Sequence, residues 1–133
     1  MFEIVKSIEF CYGHRLLEHP GLCANLHGHN AKADVMLGSE TLDHLGMVMD
    51  FSDVKAVLKS WIDATLDHTL ILCKDDPMVE VLKTNGERFY LMDDNPTAEN
   101  IAKLIYKKAQ TENLPVVSVT LWESDSSFAR YSE

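Results

Sequence analysis

Residues 2–14 alternate in polarity where Ile8, Phe10, Tyr12 and His14 fall on one side and Ser7, Glu9 and Cys11 on the other. That period of two predicts a strand ending at His14. After a loop containing His19-Pro20-Gly21, a second strand is expected over 27–37, antiparallel to the first, with Ala31, Ala33, Val35 and Leu37 on the face shared with His27 and His29. Residues 38–46 are polar and turn-rich and lead into a short apolar run at 47–49. The period then changes. Phe51, Val54, Leu58, Trp61, Ile62 and Leu66 recur at three- and four-residue intervals, which predicts an amphipathic helix over 51–66 with Asp50 or Ser52 as its cap. A second helix is expected to begin at Thr97 behind Pro96, with Glu99 in its first turn and Ile101, Leu104, Ile105 and the Lys108 methylenes inward, and to end near Asn113-Leu114-Pro115. Residues 116–122 and 128–131 read as a terminal hairpin around Asp125-Ser126.

The segment 74–95 is the variable middle. Asp76-Pro77 can open a short helix that reaches Thr84, Asn85-Gly86 can end it in left-handed geometry, and 88–92 can form an extra strand. A hairpin turning at Asn85-Gly86 is the competing reading. The framework is β-β-α-α-β-β, without internal repeats. With 133 residues and 46% hydrophobic content, the chain is expected to be one α+β domain over 1–133.

Charge and cysteine content narrow the function classes. A formal charge of −9, from 12 Lys and Arg against 21 Asp and Glu, argues against nucleic acid or an anionic membrane as partner, though not against a small anionic substrate. The N-terminal Met-Phe-Glu-Ile-Val-Lys lacks a signal-peptide pattern, and no apolar run approaches the ~18 residues of a membrane span, so a cytosolic protein is expected. Cys11, Cys23 and Cys73 are odd in number and widely spaced, which points to free thiols rather than a disulfide framework.

The densest chemistry lies in Cys23-Ala-Asn-Leu-His27-Gly-His29. Two histidines at i and i+2 of an extended segment point to one side, and Gly28 between them presents no side chain to a metal. A strand can bring His14 alongside. Three imidazoles around Zn²⁺ leave one position open, the pattern of a catalytic site; with Cys23 as a fourth ligand the site would instead be closed and structural. Asp67-His68, after the first helix, can serve as a proton-transfer pair or merely cap a helix end. Asp43-His44, the same dipeptide in a polar turn, is assigned no catalytic role. Glu123 ends an otherwise apolar strand, where a carboxylate needs N–H donors from a ligand or a wet sheet edge. Trp61 and Trp122 read as core residues.

Taken in order, His14, Cys23-x-x-x-His27-Gly-His29, Asp50-Phe51, Asp67-His68, Asn95-Pro96-Thr97-x-Glu99 and Glu123 resemble the 6-pyruvoyl-tetrahydropterin synthase family along nearly the whole chain, apart from about 74–94. The three-residue gap between Cys23 and His27 is similar to the bacterial 6-carboxy-tetrahydropterin synthase branch of queuosine and 7-deazapurine biosynthesis. Animal 6-pyruvoyl enzymes have a longer gap. A folate-synthesis branch carries Glu in place of the Cys or just after it, where this chain has Ala24.

The resemblance implies a tunnelling fold: a four-stranded antiparallel sheet with two helices on one face, trimers closing a barrel and two trimers stacking into a homohexamer with active sites between subunits. It implies a zinc-dependent lyase acting on 7,8-dihydroneopterin triphosphate, with His14, His27 and His29 as metal ligands, Cys23 as general base, Asp67 and His68 as a proton relay, and Glu123 as anchor for the pterin's amino and ring N–H groups. The favoured product is 6-carboxy-5,6,7,8-tetrahydropterin, with loss of acetaldehyde and triphosphate. The alternatives are a 6-pyruvoyl-tetrahydropterin synthase and a non-catalytic pterin- or metal-binding protein on the same fold. Arg15, Lys32 and Arg130 lie near motif residues in sequence and are candidates to meet the triphosphate, but they are not assigned to the site.

Overall fold

The computed structural model describes residues 1–133. Two long strands, β1 (Phe2–His14) and β2 (His27–Ser39), pair antiparallel along their whole length, so that His14 stands opposite His27 and Tyr12 opposite His29. Helix α1 (Phe51–Thr65) follows, with the Asp50 carboxylate accepting from the Ser52 N–H as its cap. Strand β3 (Thr69–Cys73), helix α2 (Met78–Thr84) and strand β4 (Phe89–Met92) come next. Helix α3 (Ala98–Thr111), capped by the Thr97 hydroxyl, leads into β5 (Val116–Ser124) and β6 (Ser127–Ser132), which close the chain as a hairpin.

The six strands form one sheet in the order β4-β3-β1-β2-β5-β6. Its antiparallel part, β1-β2-β5-β6, corresponds to the expected four strands. The other two are additional: β3 runs parallel to β1 and β4 parallel to β3. The expected four-stranded, two-helix count is therefore corrected to six strands and three helices. A hairpin at Asn85-Gly86 is also corrected, because parallel β3 and β4 need a crossover, and α2 supplies it. The other reading of that segment holds: the Asp76 carboxylate accepts from the Met78 N–H, and Gly86 ends the turn at φ 67°.

One core joins both long helices to the same face of the sheet. Val54, Leu58 and Ile62 of α1 and Ile101, Ile105 and Ala109 of α3 pack on Ile8, Phe10, Ala33, Val35, Val119 and Leu121. On the opposite face Leu72 packs with Val79 and Leu82 of α2. Strand β3 is thus buried on both sides, Ile71 in the main core and Leu72 in the smaller one. A strand of that kind carries a continuous apolar run with no alternation to reveal it. Its pairing with β1 spans only Tyr12–His14, so the register leaves the rest of β1 without a strand partner on that side.

Candidate active site

The alternation that buries Ile8, Phe10 and Tyr12 also carries His14 inward at the end of β1, where it is 2% exposed. Across the β1–β2 register, His27 and His29 project to the same side, and one nitrogen of each of the three imidazoles lies within 4.8 Å of the others. Two rings are fixed by backbone carbonyls. His14 Nδ1 is 2.7 Å from the Pro96 carbonyl oxygen, and His27 Nδ1 is 2.7 Å from that of Asn25. A carbonyl only accepts, so each Nδ1 carries the proton and each Nε2 presents a lone pair, the tautomer of a metal-ligating histidine. Nε2 of His14 and of His29 are buried with no hydrogen-bond partner. Two orphaned buried ring nitrogens beside a third imidazole fit a divalent metal, which would give them the partner they otherwise lack. Burial is the main reason His14 is held below the ordinary histidine range, and the neutral ring is the ligating form.

The expected reason for Gly28 is corrected. Its missing side chain would point away from the imidazoles, where a Cβ would sit 3.0 Å from the Tyr12 carbonyl oxygen of the paired strand. The glycine therefore permits close approach of the two strands that register the histidines. Gly28→Ala is expected to keep the fold but spread that register and weaken any divalent-metal binding at the imidazoles about 10–100-fold, the range for changes just behind metal ligands. Competition with a chromogenic chelator reads it.

A cavity of about 490 Å³ opens over the imidazoles and is lined by His14, Cys23, His27 and His29, with Thr97 and Glu99 of the α3 start and Glu123 of β5. Cys23 lies in a single 3₁₀ turn, Leu22–Ala24, half-buried. It shares the cavity but is not part of the three-imidazole cluster. Glu123 stands 3.9 Å from His14 Nε2 and 3.7 Å from His29 Nε2, and it accepts a 2.7 Å hydrogen bond from the Tyr12 hydroxyl.

Asp67 and His68 do not line that cavity, although His68 shares a neighbouring one of about 610 Å³ with His27 and His29. They sit with Cys11, on the side of β1 that faces away from Tyr12 and His14, and neither lines the cavity of Cys23. His68 holds the left-handed conformation (φ 55°), pinned by its N–H to the Cys11 carbonyl at 2.7 Å. Such backbone is uncommon outside glycine and recurs where a site requires it. The Asp67 carboxylate accepts from the Cys11 N–H at 2.9 Å and lies 2.8 Å from His68 Nδ1. Burial works to raise its pKa, but these two partners outweigh burial and hold the carboxyl below its usual range. The pair is thus an ionised carboxylate orienting an imidazole whose Nε2 is free toward solvent, His68 being 78% exposed.

Residues 3–133 match the 6-pyruvoyl tetrahydropterin synthase family. The chain belongs to that family. It is 38% identical over 135 residues to the 6-carboxy-5,6,7,8-tetrahydropterin synthase of Rickettsia conorii, covering 96% of this chain and 98% of the relative. It is also 38% identical over 160 residues to the enzyme of that name from Aquifex aeolicus, covering 99% and 98%. Among solved structures, an uncharacterized protein from Wolinella succinogenes superposes with a TM-score of 0.82 at 27% identity over 99% of this chain and 98% of that one. The 6-pyruvoyl tetrahydropterin synthase of Caenorhabditis elegans gives 0.73 at 25% identity, over 99% and 95%. The six-stranded, three-helix arrangement is therefore that of the synthase family.

Within this synthase-family chain, three features were not legible in the sequence. Pro96 and Asn25 act through backbone carbonyls, which no side chain announces. Asn95 ties the loop before Cys23 by exchanging hydrogen bonds with the Leu17 backbone, at 2.9 Å from its N–H and 3.0 Å to its carbonyl. Arg15, a candidate for the triphosphate by its place in the sequence, is instead paired: its Nε donates to Asp76 Oδ2 at 2.8 Å and its Nη2 to Oδ1, which fixes the α2 start to the end of β1. No helix is long and apolar enough to cross a membrane.

Proposed function

We propose that the protein converts 7,8-dihydroneopterin triphosphate to 6-carboxy-5,6,7,8-tetrahydropterin, with loss of acetaldehyde and triphosphate. The observation that carries the reading is the pair of orphaned Nε2 atoms of His14 and His29 beside His27, in one cavity with Cys23 and Glu123. The names of relatives 33–38% identical over most of the chain support this product. His14, His27 and His29 would hold one Zn²⁺, which supplies a Lewis acid that acidifies the substrate's side-chain hydroxyls. Glu123 takes the pterin by its amino and ring N–H groups and so fixes which side-chain carbons lie over Cys23. Cys23 accepts the side-chain proton as general base. Asp67 keeps the His68 ring aimed, and His68 exchanges protons through its free Nε2. Zinc is the expected metal because three imidazoles suit it and leave one position open.

Since Asp67 and His68 share no cavity with their own Cys23, we infer that the relay enters from a neighbouring subunit of a homohexamer built as a dimer of trimers. The strand edge left open along β1 and the 86% exposed Leu22 beside Cys23 support a partner chain there. The 6-pyruvoyl reading is favoured by the likeness to the C. elegans enzyme. An enzymatic assay for acetaldehyde and triphosphate separates the two. One acetaldehyde per triphosphate is expected; triphosphate without acetaldehyde would establish the 6-pyruvoyl product instead.

A further inference from the structure

Tyr12 lies beneath the imidazoles, 2% exposed, with its ring 5.1 Å from that of His14 edge-on and 5.8 Å from that of His29. A buried phenol needs a partner for its hydroxyl, and this one donates to Glu123 Oε1 at 2.7 Å across a separation of 111 residues. The Glu123 carboxylate has no other hydrogen-bond donor within the chain, although both its oxygens lie near imidazole nitrogens. Without Tyr12, no hydrogen bond from β1 or β2 would hold the carboxylate in one rotamer. Glutamate has three side-chain torsions to fix, and fixing them before a ligand arrives removes an ordering cost from binding.

We infer that Tyr12 is a positioning residue for the pterin anchor: its hydroxyl occupies Glu123 Oε1 and presets the carboxylate for the ligand's N–H donors. This rests on the pterin-site reading above. In this position the carboxylate oxygens rest 3.9 Å from His14 Nε2 and 3.7 Å from His29 Nε2, so the same contact fixes how far the anchor stands from the imidazoles. The role is specific to the hydroxyl. The ring's packing against His14 and His29 would survive its removal.

The test is Tyr12→Phe in the zinc-loaded protein, read with oxidised neopterin as a non-reacting probe and with 7,8-dihydroneopterin triphosphate as substrate. Loss of a hydrogen bond to a charged group is expected to raise the neopterin Kd and the substrate KM together by about tenfold, with kcat within about twofold and zinc content unchanged. In a Glu123→Gln background, Tyr12→Phe should add little, because the group it positions is already altered. Unchanged neopterin binding in Y12F overturns the inference, and so does an equal loss in both backgrounds. If Y12F does not fold, ¹³Cζ-tyrosine labelling answers in the native sequence, which has only four tyrosines. The Tyr12 signal must then shift both on neopterin binding and in E123Q, and a static signal overturns the inference. Wild-type protein that binds no neopterin removes the pterin-site reading and this inference with it. Y12F-sensitive neopterin binding without substrate conversion removes only the synthase reading.

Discussion

Cys23→Ala is expected to lower kcat by about 10²–10⁴-fold, the contribution of a positioned general base, while zinc stays at one per subunit. The dissociation of the two effects follows from position. Cys23 lines the cavity over the imidazoles but stands outside the cluster formed by His14, His27 and His29. Removing its sulfur takes away a proton acceptor and leaves the lone pairs on the imidazole Nε2 atoms, two of them buried and unpaired, in place. Metal analysis and steady-state kinetics on the same preparation check it. Loss of zinc in C23A would make Cys23 a fourth ligand and the centre a closed structural one.

The largest stability effect is expected at Asp76. Its side chain is fully buried, bound by two nitrogens of Arg15 and by the Met78 N–H, so one carboxylate ties β1, the β3–α2 turn and the α2 start together. Asp76→Ala should cost about 3 kcal/mol, the lower end for breaking a buried pair, because Arg15 is 21% exposed and can recover solvent. Asp93→Ala, which removes an exposed partner of Lys74, should stay within about 0.5 kcal/mol. Denaturant unfolding at fixed subunit concentration compares them. The Arg15 hydrogen bonds are the chief cause that holds the Asp76 carboxyl below its usual range in the folded state. Its contribution is therefore fully present above the unfolded value of about 3.9 and is lost as pH falls through the lower folded value. Wild-type stability should decline below about pH 4 by a component that D76A lacks.

The legible part of the fold was the part with a period. Alternation placed β1 and β2 and put His14, His27 and His29 on one face, and helical spacing placed α1 and α3 with their Asp50 and Thr97 caps. Strand β3 escaped because, after Thr69, its Leu-Ile-Leu-Cys is apolar throughout, as burial on both faces requires. Without β3, the segment after it had no parallel neighbour, and a hairpin at Asn85-Gly86 stayed open as a reading until α2 was seen to cross over. In the site, residue types signalled the imidazoles, Cys23 and Glu123, whereas their supports did not signal themselves. The placement of Asp67-His68 on the far side of β1 depends on which way the chain leaves α1, and dipeptide chemistry carries no such information. Tyr12 read only as one position on the alternating face of β1. The available clue was its combination with Glu123: a buried phenol and a lone carboxylate in an apolar strand each need a partner, and they supply one another.

The central claim is that a metal held by His14, His27 and His29 is needed for this chain to act on a pterin triphosphate. The most direct measurement strips the protein with chelator, reloads it with zinc, and follows 7,8-dihydroneopterin triphosphate by mass spectrometry at each stage. No conversion by stripped protein, and 6-carboxy-5,6,7,8-tetrahydropterin restored at one zinc per subunit, is the predicted result. Turnover without metal, or intact substrate with one zinc per subunit and the oligomer verified, would contradict it.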